Sequence, residues 1–110
     1  MTRIVLAAVM LTLTMSAGSA FAQDAAKGKQ VFADQKCSLC HSIGGQGNKK
    51  GPLDDVAKKL SAADLHAWIT SAPDMAAKAK ADRKPPMKAY TDLSKEDVDN
   101  LVAYIQSLKK

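Results

Sequence analysis

The stretch Cys37-Ser38-Leu39-Cys40-His41 holds both cysteines of the 110-residue sequence. Two thiols separated by two residues, with a histidine directly behind, leave few folds open. A structural zinc site takes about four ligands, and His66 is the only further Cys or His in the chain. His41 is tied to Cys40 in sequence, which suits it poorly to closing a tetrahedron with both thiols. A thioredoxin-like redox pair belongs in a βαβ unit, and no alternating apolar/polar run here reads as a strand. A disulfide across so short a loop would constrain almost nothing in the unfolded chain.

The N-terminus sets the compartment. Arg3 precedes the apolar run IVLAAVMLTLTM, and small residues then lead to Ala20-Phe21-Ala22. A positive start, a short apolar stretch and an Ala-x-Ala site make residues 1–22 a secretory signal peptide. The apolar run is too short to span a bilayer comfortably. No twin arginine and no cysteine near the cleavage site indicate another export route or a lipid anchor. The expected mature chain is one domain, 23–110, exported to the periplasm. Of 16 Lys and Arg, loss of Arg3 leaves 15 against 11 acidic residues, a net charge of +4.

Covalent attachment of haem uses every residue of the cysteine stretch. Two thiols add to the two vinyl groups of the porphyrin, and the adjacent histidine is brought under the ring to bind iron. Export agrees with this chemistry. So does size: the domain is short enough to gain from a staple or cofactor. Beyond the signal its aromatic residues are only Phe32, Trp68, Tyr90 and Tyr104.

The rest of the chain reads as helical. A first helix runs from about Asp24 to Lys36 and offers Val31 and Phe32. A second begins at Ser61, bracketed by Leu60 and Leu65, with Asp64 at the capping-box position and Leu65, Trp68 and Ile69 on its apolar face. The last begins at Ser94, with Asp97 three places on, and carries the stripe Val98, Leu101, Val102, Ile105 and Leu108. A glycine-rich connection (Gly44 to Pro52) and a second around Lys80 to Thr91 join them.

GKQVFADQKCSLCHSIGGQGNKKGPL, then KPPMKAY, then LVAYIQSL in the last helix resemble the small class I c-type cytochromes of bacteria. The resemblance covers nearly all of Gln23 to Lys110, with CxxCH near the mature N-terminus. It implies an all-α cytochrome c-like fold, helices wrapped around one covalently attached haem c. By resemblance, Cys37 and Cys40 form the thioethers and His41 is the proximal axial iron ligand. Met87 is the expected distal ligand: it lies just before the last helix, and Pro85 and Pro86 stiffen the backbone ahead of it. Met75, in an alanine-rich helical stretch, and His66, beside Leu65 and Trp68, are the rival ligands and read better as packing and boundary residues. Pro52 matches the proline whose carbonyl accepts the ring N–H of the iron-bound histidine. Gly28, Phe32 and Tyr104 match residues where the first and last helices cross. Trp68 is a candidate hydrogen-bond donor to a haem propionate. The segment Ser71 to Lys84 departs from the pattern and receives no assignment.

Histidine–methionine iron has no open position for a substrate, so the expected function is a soluble single-electron carrier between redox proteins, and not an enzyme. The rivals are an open-site haem protein, peroxidase-like or gas-sensing, and an electron-transfer subunit of a larger respiratory complex. Lys27, Lys29, Lys36, Lys49, Lys50, Lys84 and Lys88 flank the haem segments. They read as a solvated surface or as a docking surface for an acidic donor or acceptor protein. The charge is sparse and no aromatic platform stacks bases, so nucleic acid is not expected as a partner. The expected state is a monomer with no membrane span after signal removal.

Overall fold

A computed structural model describes residues 24–109, so the signal peptide expected over 1–22 lies outside the described residues. The described residues form five α-helices: α1 (Ala25–Asp34), α2 (Val56–Lys59), α3 (Ala62–Thr70), α4 (Ala72–Ala79) and α5 (Lys95–Ser107). A single 3-10 turn, Cys37–Leu39, follows α1, and two short strands, β1 (Ser42–Ile43) and β2 (Gln46–Gly47), pair antiparallel after it. No helix among the described residues is long and apolar enough to cross a membrane.

The helix starts follow from their caps. Asp24 accepts from the Ala26 and Lys27 N–H groups, satisfying two donors that the first turn leaves without partners. Ser61 and Asp64 form the expected reciprocal capping box. Ser94 Oγ accepts from Asp97 N–H at 3.1 Å, the half of that arrangement needed to start α5. At the other end of α1 the chain turns sharply, with Lys36 in the left-handed region at φ 56°. That turn delivers the cysteine stretch immediately after the helix.

Packing centres on the crossing of α1 and α5. A Cβ on Gly28 would overlap the Asn100 carbonyl oxygen and the Tyr104 Cβ, so the helices approach at a contact only glycine permits. Beside it Phe32 meets Tyr104 edge-on, with ring centroids 5.8 Å apart. Asn100 is one of the two buried polar residues among those described. Its Oδ1 accepts from Asp24 N–H at 2.8 Å and ties the start of the domain to its last helix. The apolar stripe of α5 (Val98, Leu101, Val102, Ile105) buries against Val31 of α1 and Leu65 and Ile69 of α3. Trp68 stands half-buried on the same helix. The core is shallow: among the described residues no large side chain is fully buried.

Two features differ from the expected layout. The glycine-rich connection pairs Ser42 with Gly47 and Ile43 with Gln46, a hairpin too short to show an alternating pattern. Helix α2 is likewise a single turn, below the length at which periodicity carries information.

The Gly28 contact yields a test. Alanine normally favours a helix interior over glycine by nearly 1 kcal/mol. Here Gly28→Ala should instead destabilise the protein by about 2 kcal/mol or more, because its methyl meets backbone that cannot step aside. Chemical denaturation of the haem-loaded protein measures the sign. A stabilised variant would mean the two helices are free to separate.

Candidate haem site

The cysteine stretch folds into one turn laced to the segment that follows it. Its own backbone closes through Cys40 N–H and His41 N–H, both donating to the Cys37 carbonyl at 3.2 and 2.9 Å. Asn48 fastens the outside. Its backbone N–H donates to the carbonyls of Ser38 and His41, and its side-chain amide donates to the Leu39 carbonyl at 3.1 Å. Three carbonyls of a five-residue turn are thereby satisfied by one asparagine. Such a turn presents Cys37, Cys40 and His41 in fixed relation.

His41 is held by its ring. Nδ1 lies 3.0 Å from the Gly51 carbonyl oxygen, the geometry of an Nδ1–H donor. This tautomer leaves Nε2 with its lone pair available for a metal. The acceptor differs from the expected one, since Pro52 is one residue too far along. Pro52 instead pairs with Ser42 in an isolated parallel bridge. In that bridge Ser42 N–H donates to the Gly51 carbonyl at 3.0 Å and Leu53 N–H donates to the Ser42 carbonyl at 2.9 Å. Proline has no N–H to give to the bridge, and the carbonyl turned towards the histidine is that of Gly51. The second lone pair of that oxygen is what receives the ring. Burial lowers the proton affinity of the His41 ring; the Gly51 bond opposes this and the Arg83 charge adds to it. A neutral ring is the form that binds iron.

Cys37 is half-buried and Cys40 exposed, both free thiols. Burial raises the Cys37 thiol above its ordinary value, with a hydrogen bond from Tyr90 pulling the other way. Tyr90 reaches this position from the far connection, where its N–H donates to the Ile69 carbonyl at 2.8 Å at the end of α3. The Lys88 ammonium sits over the Tyr90 ring, 4.9 Å from its centroid. Met87 lies between them and the two prolines, half-buried, in the irregular run before α5. Met75 is half-buried on α4, and His66 is half-buried on α3 with its carbonyl accepting from Thr70 Oγ1. A cleft of about 610 Å³ opens beside Cys40, lined by Leu39, Asn48, Lys50, Arg83, Lys84 and Pro85.

The donor set fits a haem. Two free thiols on one turn match two vinyl groups, and the histidine behind them keeps one ring nitrogen without a proton. Leu39, 70% exposed, offers apolar surface at the same mouth. Sequence reading had not singled out Asn48, Gly51, Arg83 or Tyr90. Asn48 and Gly51 carry a signal as turn formers within a glycine-rich loop, and Tyr90 closes the KPPMKAY motif; Arg83 carries none.

Fold and site together define a helical domain that carries one covalently attached haem. The family model described as "Cytochrome c" matches residues 25–109, and the chain belongs to that family. Its haem is of the covalently attached c type, and Cys37 and Cys40 fit the attachment motif. Cytochrome c-554(547) of Halothiobacillus neapolitanus is 35% identical over 94 residues, which cover 80% of this chain and all of that protein. Cytochrome c oxidase subunit 2 of Alkalihalophilus pseudofirmus is 36% identical over 92 residues, 76% of this chain but 25% of that protein. Cytochrome c2 of Blastochloris viridis is 51% identical over 45 residues, 40% of this chain and 34% of that protein. The chain thus spans about a quarter of the oxidase subunit and about a third of the cytochrome c2. No solved structure matches it significantly.

Mass spectrometry of the haem-loaded protein is expected to show one haem that survives denaturation. A thiol titration of the same sample should find no reactive cysteine. Two free thiols would place the cofactor, if present, outside the Cys37–Cys40 turn.

Proposed function

We propose that the domain is a soluble, exported one-electron carrier in which His41 and Met87 are the axial ligands of a haem held by thioethers from Cys37 and Cys40. The observation that carries this reading is the His41–Gly51 hydrogen bond within the Asn48-laced turn. It leaves the other imidazole nitrogen of His41 unprotonated on the turn that also carries the two thiols. When bound, the haem supplies an iron that cycles between ferrous and ferric states.

What the chain's own residues do follows from electron transfer, which is fastest when the site changes least between oxidation states. The Gly51 carbonyl keeps the His41 ring from rotating and strengthens it as a donor. The Pro85-Pro86 pair restricts the backbone before Met87, reducing the entropy lost in holding a weak thioether. Pro52 contributes by shaping the bridge to Ser42, and Trp68 remains our candidate donor to a propionate. With both axial positions filled by side chains there is no open site for a substrate, and we assign no enzymatic activity.

The relationship to an oxidase subunit favours a second reading, an electron-transfer module working inside a larger respiratory assembly. The two readings share the same site and differ in how the partner is met. In the carrier reading the partner diffuses. Lys49, Lys50, Lys84 and Lys88 then form an encounter surface for an acidic protein, with exposed Leu39, near Lys50 and Lys84, as an apolar contact. Lys27, paired with Glu96 at 4.0 Å, is less available for this purpose.

The ligand assignment separates two methionines. Met87→Ala should abolish the methionine-ligated low-spin spectrum and admit carbon monoxide to the reduced iron. Met75→Ala should leave the spectrum nearly unchanged. Interchanged outcomes would move the distal ligand to α4, and an open-site spectrum in the native protein would favour the peroxidase-like or gas-sensing alternative.

Partner encounter has its own signature. Screening acts over about 8 Å at physiological ionic strength, so second-order electron transfer to an acidic partner should slow as salt is added. Charge reversal at Lys49, Lys50 or Lys88 should lower the association rate more than reversal at Lys109. A rate independent of salt, with stable co-purification, would favour the fixed-module reading.

A further inference from the structure

Ser71 to Lys84 has no counterpart in the motifs that mark the family, and one residue of it faces the site. Arg83 is half-buried, while its neighbours from Ala77 to Asp82 and from Lys84 to Pro86 are exposed. Its Nη1 lies close to the position that a side chain on Gly51 would fill, as do the Cys40 carbonyl oxygen and His41 Nδ1. Gly51 is also the residue whose carbonyl accepts the His41 ring. Among the described residues, the ion pairs within 4.0 Å are Lys27–Glu96, Lys58–Asp55 and Lys95–Asp99, so no carboxylate neutralises Arg83.

We propose that Arg83 is a positioning residue for the axial histidine whose charge, held against Gly51 beside the His41 ring, raises the reduction potential of the haem iron. This inference rests on His41 being the iron ligand. The physical chain is short. A half-buried cation is screened less than a surface one, and its field acts on the ligand through a few ångströms of protein. Ferric iron carries one positive charge more than ferrous iron, so a fixed neighbouring cation disfavours the oxidised state. Arginine suits the position because it stays charged at any working pH and its planar end fits the flat space above a glycine. The Cys40 carbonyl, being backbone, is what excludes a Cβ at Gly51, and the guanidinium end lies in the space this leaves.

Redox titration of the haem-loaded protein, followed by its optical spectrum, tests the proposal. Arg83→Gln should keep the low-spin spectrum and shift the ferric/ferrous equilibrium about tenfold towards ferric, which is about 59 mV lower for one electron. Arg83→Lys should recover more than half of that shift, and Lys78→Gln, at an exposed lysine of α4 outside the cleft, should stay near the native value. The sequence contains only two arginines, Arg3 and Arg83. A dicarbonyl reagent that neutralises guanidinium groups can therefore make the same change on the folded native protein. Modification at Arg83, verified by peptide mapping, should lower the potential as Arg83→Gln does. An unchanged potential after either treatment would overturn the proposal. So would an equal fall in Arg83→Lys, because that would mean shape matters and charge does not. Failure of the carrier reading looks different: it would show as an open-site, high-spin spectrum in the native protein, whatever Arg83 does to the potential.

Discussion

One carbonyl oxygen, that of Gly51, organises the candidate site. It accepts the Ser42 N–H at 3.0 Å and the His41 ring nitrogen at 3.0 Å, using both of its lone pairs. The first bond fixes where the strand after the cysteine turn lies. The second fixes the direction of the ring. Because both end on the same atom, the histidine cannot reorient without disturbing the bridge between Ser42 and Pro52. Turning the ring away forfeits one hydrogen bond, a loss on the order of 1 kcal/mol, which favours the observed orientation.

That local arrangement needs a frame, and the crossing of α1 and α5 supplies it. Gly28 lets the helices touch, Asn100 takes the Asp24 N–H, and Phe32 meets Tyr104 across the seam. The cysteine turn begins at Cys37, three residues after the end of α1, so its placement inherits the rigidity of this crossing. The remaining core is made of Val, Leu and Ile side chains of moderate size. Burying each is worth about 1.5–3 kcal/mol, a modest total for a domain this short. A covalent porphyrin would add apolar surface that cannot dissociate, which suits a domain with so small a core.

The parts legible in the sequence were those governed by local rules. Ser61 and Ser94 announced their helices because a hydroxyl before an apolar run has a definite partner three residues on, and both bonds exist. The α5 stripe was legible because thirteen residues give several turns of periodicity. The cysteine turn was legible as chemistry, since no other use of those five residues accounts for all of them. What escaped was set by tertiary contact. Gly51 and Pro52 are adjacent, and only the direction of the chain after β2 decides which carbonyl meets the ring. The two-residue strands carry no pattern at all. Arg83 sits in a lysine- and alanine-rich stretch that looks like solvated surface, and its half-burial depends on a glycine more than thirty residues away.

These differences bear on how the two sides of the site are held. The histidine side is laced by backbone hydrogen bonds: Asn48 to three carbonyls of the turn, Ser42 to Gly51, Leu53 to Ser42. Each depends on main-chain geometry, so side-chain substitution around them can proceed with little effect on the ring. The segment carrying Met87 lacks such a lattice. It is restrained by two prolines, by the Tyr90 N–H on the Ile69 carbonyl, and by Arg83 lying over Gly51. Stability is not uniform across a fold, and segments held by few hydrogen bonds open first. On the proposed reading the methionine side is therefore the one whose ligand can be lost by local opening, while His41 stays in place. Arg83 joins the less secured segment to the more secured one, at the residue where the histidine itself is anchored. On the proposed reading, the charge that acts on the iron thus comes from the less secured side and is felt at the anchor of the more secured one.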